Sequence, residues 1–210
     1  MLKEFFKKYE TLVNIVLFLS FAGLGIQQIY QKVIITKTFN SVELGFIIQS
    51  VALAIVILCR KPFRFVDTRL FDQIIALIAF FSGAVLFREQ PTTGGPLTLH
   101  LSQFVVLCAN VLGLIVLFNL GRSFGILIAL RELKSTGGYA MVRHPMYATD
   151  ILLRLGFVIS HCNLLSVIVV LISTPCYVYR AILEERFLSQ QPEYRDYMQK
   201  VKYRFIPAVF

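Results

Sequence analysis

Charged residues are scarce in this chain, at 16% of 210 residues, and acidic ones scarcer still, 12 against 21 lysines and arginines. Soluble domains carry about 25% charged residues and about 45–50% apolar ones, whereas this sequence is 57% hydrophobic. A soluble domain of this size leaves roughly a third of its unfolded surface exposed, too much to cover with so few charges. Lipid as solvent removes the difficulty. The basic excess forms no dense patch, which argues against nucleic acid as a partner. The four cysteines, Cys59, Cys108, Cys162 and Cys176, have no CxxC spacing, so a zinc or redox site is disfavoured. Cys59, Cys108 and Cys176 lie in or beside apolar runs and read as buried thiols. No internal repeat, prenylation box or convincing signal cleavage site is present, and the basic N-terminus reads as the start of a retained helix. His100, His144 and His161 stand far apart, against a metal cluster or a Ser-His-Asp triad.

What is abundant is apolar runs, and a membrane-spanning helix needs about 20 such residues. The runs predict spans over 11–35, 42–59, 70–87 and 97–120. A polar, Gly-rich stretch from Gly121 to Pro145 follows. Tyr147–Ser160 is apolar but short, and Asn163–Tyr179 is nearly full length. Joined through a tight turn at His161-Cys162-Asn163, they read as a helical hairpin. The fold class expected is all-α: a polytopic membrane helix bundle of five or six segments with a cytoplasmic cofactor pocket. The chain reads as one membrane domain, with N-terminal spanning helices over 1–96 and a core over 97–210.

Charge tests the scheme. Lys3, Lys7, Lys8, Arg60, Lys61, Arg64, Arg69, Arg122, Arg131, Lys134, Arg143, Arg180 and the basic tail fall on one side. Lys32, Lys37 and Arg88 fall on the other. The positive-inside rule then places both termini in the cytoplasm, across a bacterial inner membrane or, in a eukaryote, the endoplasmic reticulum. Pro91–Pro96 reads as an outer turn. Lys61–Phe65 reads as a segment lying flat at the inner interface, and Asp72 as an interfacial carboxylate in water.

Chemistry-bearing residues concentrate in the last 90 positions. In Arg143-His144-Pro145-Met146-Tyr147, proline favours a helix start, whose free N–H groups suit an anionic group. A plain basic cap is the alternative. Arg180 and Glu184, four apart on one helix face, are either an ion pair capping the helix or a site, since ionisable groups at that depth are costly. Asp150 and Arg154 read as an internal pair or as lining for a headgroup cavity. Gly121, Gly125, Gly137 and Gly138 permit positive φ and close backbone approach.

Together Gly138-Tyr139, Arg143-His144-Pro145-Met146-Tyr147, Glu184-Glu185, Glu193-Tyr194-Arg195-Asp196-Tyr197 and Arg204-Phe205-Ile206-Pro207 resemble, in order and spacing, the core of the isoprenylcysteine carboxyl methyltransferase family. That family is itself similar to the phospholipid N-methyltransferases. The resemblance covers about residues 117 to 207. It implies S-adenosylmethionine as cofactor, with Glu132, Leu133 and Lys134 running past it. Tyr139, His144, Tyr147 and Glu184 would contact it, and Pro145 and Met146 would contribute backbone. Arg180 would face the substrate head and, with Glu184, carry catalysis; Arg154, read from its own placement as lining for a headgroup cavity and not from the resemblance, is the second substrate-binding candidate. The glutamine that some members carry upstream falls here at Ile128-Ala129, which has no side-chain amide. The implied acceptor is a lipid or lipidated molecule entering from the bilayer. O-methylation of a carboxylate held by Arg180 is the leading reading. N-methylation of a lipid amine, with Glu184 or Glu185 as base, is the alternative. A non-enzymatic carrier and a nicotinamide-dependent membrane reductase are the rivals from other classes.

Overall fold

In a computed structural model of the chain, the described residues are 2–35, 37, 41–82, 95–160 and 162–209. They are mostly helical: α1 Leu2–Ile29, α2 Ser41–Cys59, α3 Leu70–Phe81, α4 Pro96–Leu120, α5 Pro145–Ser160, α6 Leu164–Leu188 and α7 Pro192–Lys200. The architecture is an all-α membrane helix bundle. Glu10–Ile35, Pro96–Ser123 and Leu164–Leu188 are long and apolar enough to cross a bilayer, while Leu44–Cys59 and Leu70–Phe81 are apolar but shorter. α5 has 16 residues, about 24 Å at 1.5 Å per residue, short of a hydrocarbon core of roughly 30 Å. Predicted features at 83–87, Arg88, 91–94 and His161 lie outside the described residues.

The helices pack as α1 on α2, α2 on α4, α4 on α5, α3 on α6 and α5 on α6. Between lipid-solvated helices there is little hydrophobic drive, so close packing and buried hydrogen bonds hold them. The α4–α5 seam shows both. Gly156 sits so near Val106 that an added Cβ would come within 2.8 Å of it. Ser102 Oγ lies 2.7 Å from the Gly156 carbonyl oxygen and 2.8 Å from Ser160 Oγ. Ala52, Leu53, Val56, Ile57, Val116, Leu117, Phe124, Ile126 and Met146 form the largest buried cluster among the described residues. The outer side of α1 is bare of protein, with Leu12, Leu19 and Ile26 exposed.

Two expectations, on Asp72 and on three of the cysteines, are corrected here. Lys61–Phe65 is tied to the rest of the fold. It leads into strand β1 (Phe65–Val66), which pairs antiparallel with β2 (Ala129–Leu130), Phe65 opposite Leu130 and Val66 opposite Ala129. Lys61 N–H adds a bond to the Arg122 carbonyl, and Arg64 N–H one to Leu130. Asp72 is not in water: it is buried and ion-paired with Arg69 at 2.9 Å, in a cluster that includes Asp67. Cys59 is exposed, and Cys108 and Cys176 are half-buried; an apolar run in lipid turns much of itself outward. Past the apolar run ending at Tyr179, α6 continues to Leu188, so Arg180 and Glu184 share one helix as their spacing implied. Arg180 to Leu183 are adequate to good helix formers, and the Arg180–Glu184 pair stabilises the extra turns.

Candidate functional site

Where α5 and α6 open beside the 121–144 loop lies a cavity of about 980 Å³, counting its open mouth. The loop forms one wall and is gripped from outside. β1 holds residues 128–130, and the side-chain amide of Gln73 bonds both N–H and C=O of Ile128. Arg131, buried, donates to the Lys61 carbonyl at 2.8 Å and pairs with Glu10 of α1 at 3.1 Å. At the turn, Gly137 has φ +59, and a Cβ there would meet the Asn119 amide at 2.5 Å, so two separate constraints demand glycine. Gly121 also has positive φ.

α5 begins at Pro145, whose ring fixes φ and removes an N–H that would have had no partner. This leaves His144 just outside the helix, its ring stacked on Tyr147 at 5.3 Å and 12°. His144 Nε2 lies 3.1 Å from Glu185 Oε1, and Nδ1 lies 3.9 Å from Glu184 Oε2. Glu185 also pairs with Arg143 at 2.9 Å and Arg204 at 3.0 Å. The tail is stitched to the same point, because Arg143 N–H and His144 N–H donate to the carbonyls of Tyr203 and Arg204. A buried carboxylate facing three cationic or hydrogen-bonding partners is stable where a lone one would not be.

Glu184 accepts from Tyr147 Oη and from Arg180 Nε at 3.1 Å. Arg180 is buried in full. Its other donors reach the carbonyls of Ala76 at 3.1 Å, Gly125 at 3.3 Å and Ile126 at 2.6 Å, and it lies 4.9 Å from the Tyr147 ring centre. Tyr139 lines the cavity and is fixed through its own carbonyl, which accepts from Tyr197 Oη at 2.7 Å. Burial, and next the charge of Glu184, push the Tyr139 phenol above the usual tyrosine range, so it remains a hydrogen-bond donor. Burial pushes Tyr197 up to about 12. At the mouth, hydrogen bonds from Lys61 and Lys134 hold the Glu132 carboxyl below the usual range.

Of the residues singled out in the sequence, Glu132, Leu133, Lys134, Tyr139, His144, Met146, Tyr147, Arg180 and Glu184 line this cavity. Pro145 and Arg154 do not line it. Arg154 turns toward α3, donating to the Ala79 carbonyl and Ser82 Oγ, both at 2.9 Å. It does not pair directly with Asp150. Tyr177 stands between them, donating to Asp150 Oδ2 at 2.7 Å and 3.2 Å from Arg154 Nη2. Sequence reasoning missed Tyr177, buried mid-run, and the grip of Glu10 and β1 on the loop. A tyrosine one turn before an arginine at position 180 was the available signal for the first; nothing local signals the second. Among the described residues, no group of three or more His, Cys, Asp or Glu is arranged to hold a metal ion.

A family model described as phospholipid methyltransferase matches residues 90–194, which takes in α4, the loop, α5, α6 and the start of α7. No curated protein matches the chain.

Proposed function

This chain belongs to the phospholipid methyltransferase family, membrane methyltransferases that act on lipids, and from that premise we propose that it methylates the amine headgroup of a lipid with S-adenosylmethionine. The observation that carries the reading is the cup formed by Glu184, Tyr139, Tyr147 and His144 around the cavity. A carboxylate set among tyrosine faces favours a compact cation, and a sulfonium is one. When bound, S-adenosylmethionine supplies an activated methyl group. The chain's own residues then have to bind, orient and exclude water. Tyr139, Tyr147 and Glu184 would hold the cationic part. Glu132, Leu133 and Lys134 would flank the remainder along the loop, with Met146 closing the start of α5. Phe80 and Phe124 at the cavity wall would keep water from the reacting centre.

The preference for an amine over a carboxylate acceptor is supported by Arg180. A carboxylate would need its guanidinium, yet Glu184 and the carbonyls of Ala76, Gly125 and Ile126 already take its donors. Displacing them would leave buried carbonyls without partners, at about 1–3 kcal/mol each.

The test is titration in detergent. S-adenosylmethionine is expected to bind and NADPH not. Glu184→Gln and His144→Ala should each weaken binding at least tenfold while the proteins stay folded. Titration curves matching the unsubstituted protein in both variants would remove the pocket from consideration. Binding of NADPH would favour a reductase, and binding of neither a carrier. The basic residues of the 60–69 and 121–143 loops and of the tail support cytoplasmic termini. A cysteine introduced by Thr93→Cys should then react with an impermeant thiol reagent from outside intact cells; reaction from the cytoplasmic side alone would reverse the orientation.

A further inference from the structure

We propose that Asp150 is the group that meets the lipid acceptor's ammonium and takes its proton; this rests on the methyltransferase reading above. Three carboxylates stand in or beside the deep end of the site: Glu185, outside the cavity lining, is fully engaged, and Glu184, in the lining, is engaged through one oxygen. Glu185 has both oxygens in contacts with Arg143, His144 and Arg204. Glu184 Oε1 receives Tyr147 and Arg180, and its Oε2 faces His144. Asp150 also lines the cavity, and among the described residues its one hydrogen bond is that from Tyr177 to Oδ2. Among the described residues, Asp150 Oδ1 and Glu184 Oε2, the latter 3.9 Å from His144 Nδ1, are the oxygens of these three carboxylates without a hydrogen bond, and Glu184 is already assigned to the cofactor's cation.

The surroundings fit a proton acceptor. Asp150 lies five residues into α5 from Pro145, about 7.5 Å along the axis, where a headgroup arriving sideways from the bilayer would reach it. The charged or titratable groups around it are Arg154 on its own helix and Tyr177, Arg180 and Glu184 on α6, with Tyr147 one turn earlier. Arg154 contacts Tyr177 rather than Asp150, and its remaining donors go to α3. The carboxylate therefore has a positive neighbour without being capped by it. Tyr177 passes the polarisation on, donating to Asp150 while accepting from Arg154.

The chemistry balances. An alkylammonium has no lone pair until it loses a proton, which Asp150 accepts. The freed nitrogen lone pair forms the new N–C bond, the C–S bond breaks with its electron pair going to sulfur, and Asp150 releases the proton to water. General-base assistance of this kind is worth about 10²–10⁴ in rate.

The experiment uses Asp150→Asn, whose amide oxygen can still accept from Tyr177. S-adenosylmethionine affinity should stay within about threefold of the unsubstituted protein. Methyl transfer to phosphatidylethanolamine vesicles should fall at least about 100-fold, with the residual rate rising as pH rises and solvent deprotonates the amine. Transfer within threefold of the unsubstituted protein would overturn the assignment. A second measurement needs neither variant nor cofactor. Dodecylamine should raise the melting temperature of the unsubstituted protein at concentrations at least tenfold below those of dodecanol. Equal potency would overturn the assignment even if Asp150→Asn failed to fold. If S-adenosylmethionine does not bind at all, the methyltransferase reading fails; if it binds and Asp150→Asn leaves transfer unchanged, only the Asp150 assignment fails.

Discussion

Arg180 Nη2 donates to the main-chain carbonyl of Ile126 at 2.6 Å, tying the C-terminal half of α6 to the loop that walls the cavity. A buried arginine makes this bond worthwhile because each of its N–H groups would otherwise carry a desolvation cost. The same guanidinium bonds Ala76 of α3 and Gly125 of the loop. One side chain thus joins α3, α6 and the loop.

Arg180→Met should therefore destabilise the fold, by about 3–5 kcal/mol, because Glu184 loses its charged partner in a buried setting. Arg180→Lys should recover little of this, since one ammonium cannot reach four divergent acceptors. Thermal melts in detergent check the expectation. Unchanged melting with a raised KM for lipid would instead mark Arg180 as a headgroup contact.

Glu185→Gln should loosen the tail. The substitution removes the charge facing Arg143, His144 and Arg204, so α7 and the 201–209 segment lose their anchor to the start of α5. Limited proteolysis should cut after Leu188 faster than in the unsubstituted protein, and S-adenosylmethionine affinity should fall because His144 is no longer oriented. Proteolysis rates and a titration on one preparation read both effects.

Gly137→Ala should cost about 1–2 kcal/mol for the left-handed backbone and more for the contact with Asn119. Adding Asn119→Ala should restore the contact part and not the backbone part. The difference between the single and double variants in melting temperature separates the two.

The pH dependence of cofactor affinity should follow Glu132. Its folded-state carboxyl is held low by Lys61 and Lys134, so the charged form dominates above that value and its contribution is lost only as pH falls through it. In the unsubstituted protein the acid-side loss from Glu132 should lie below the ordinary glutamate value of about 4.3, and in a Lys61→Ala, Lys134→Ala double variant it should move up toward that value. Titrations carried down through that value check the shift.

Much of the site was legible because its residues are local. His144, Pro145 and Tyr147 sit within one helix start, and Arg180 and Glu184 within one helical turn, so spacing alone brings each set together. The role of Arg180 was not legible in the same way. As a residue type it suits an anionic substrate, but its acceptors Ala76 and Gly125 lie 104 and 55 positions away. Lys61–Phe65 looked interfacial because aromatics alternate with cations there. Its strand partner, 65 residues downstream at Leu130, carries no pattern that would reveal the pairing.

By itself the sequence determined that this chain lives in lipid, where its helices lie and which turn starts at Pro145, because hydropathy, proline geometry and helical spacing act over short stretches of chain. Tertiary structure alone decided which carboxylates are engaged and which is open, and that Tyr177 stands between Asp150 and Arg154. Those outcomes depend on which helices touch, and contact between distant segments is set by packing rather than by local composition.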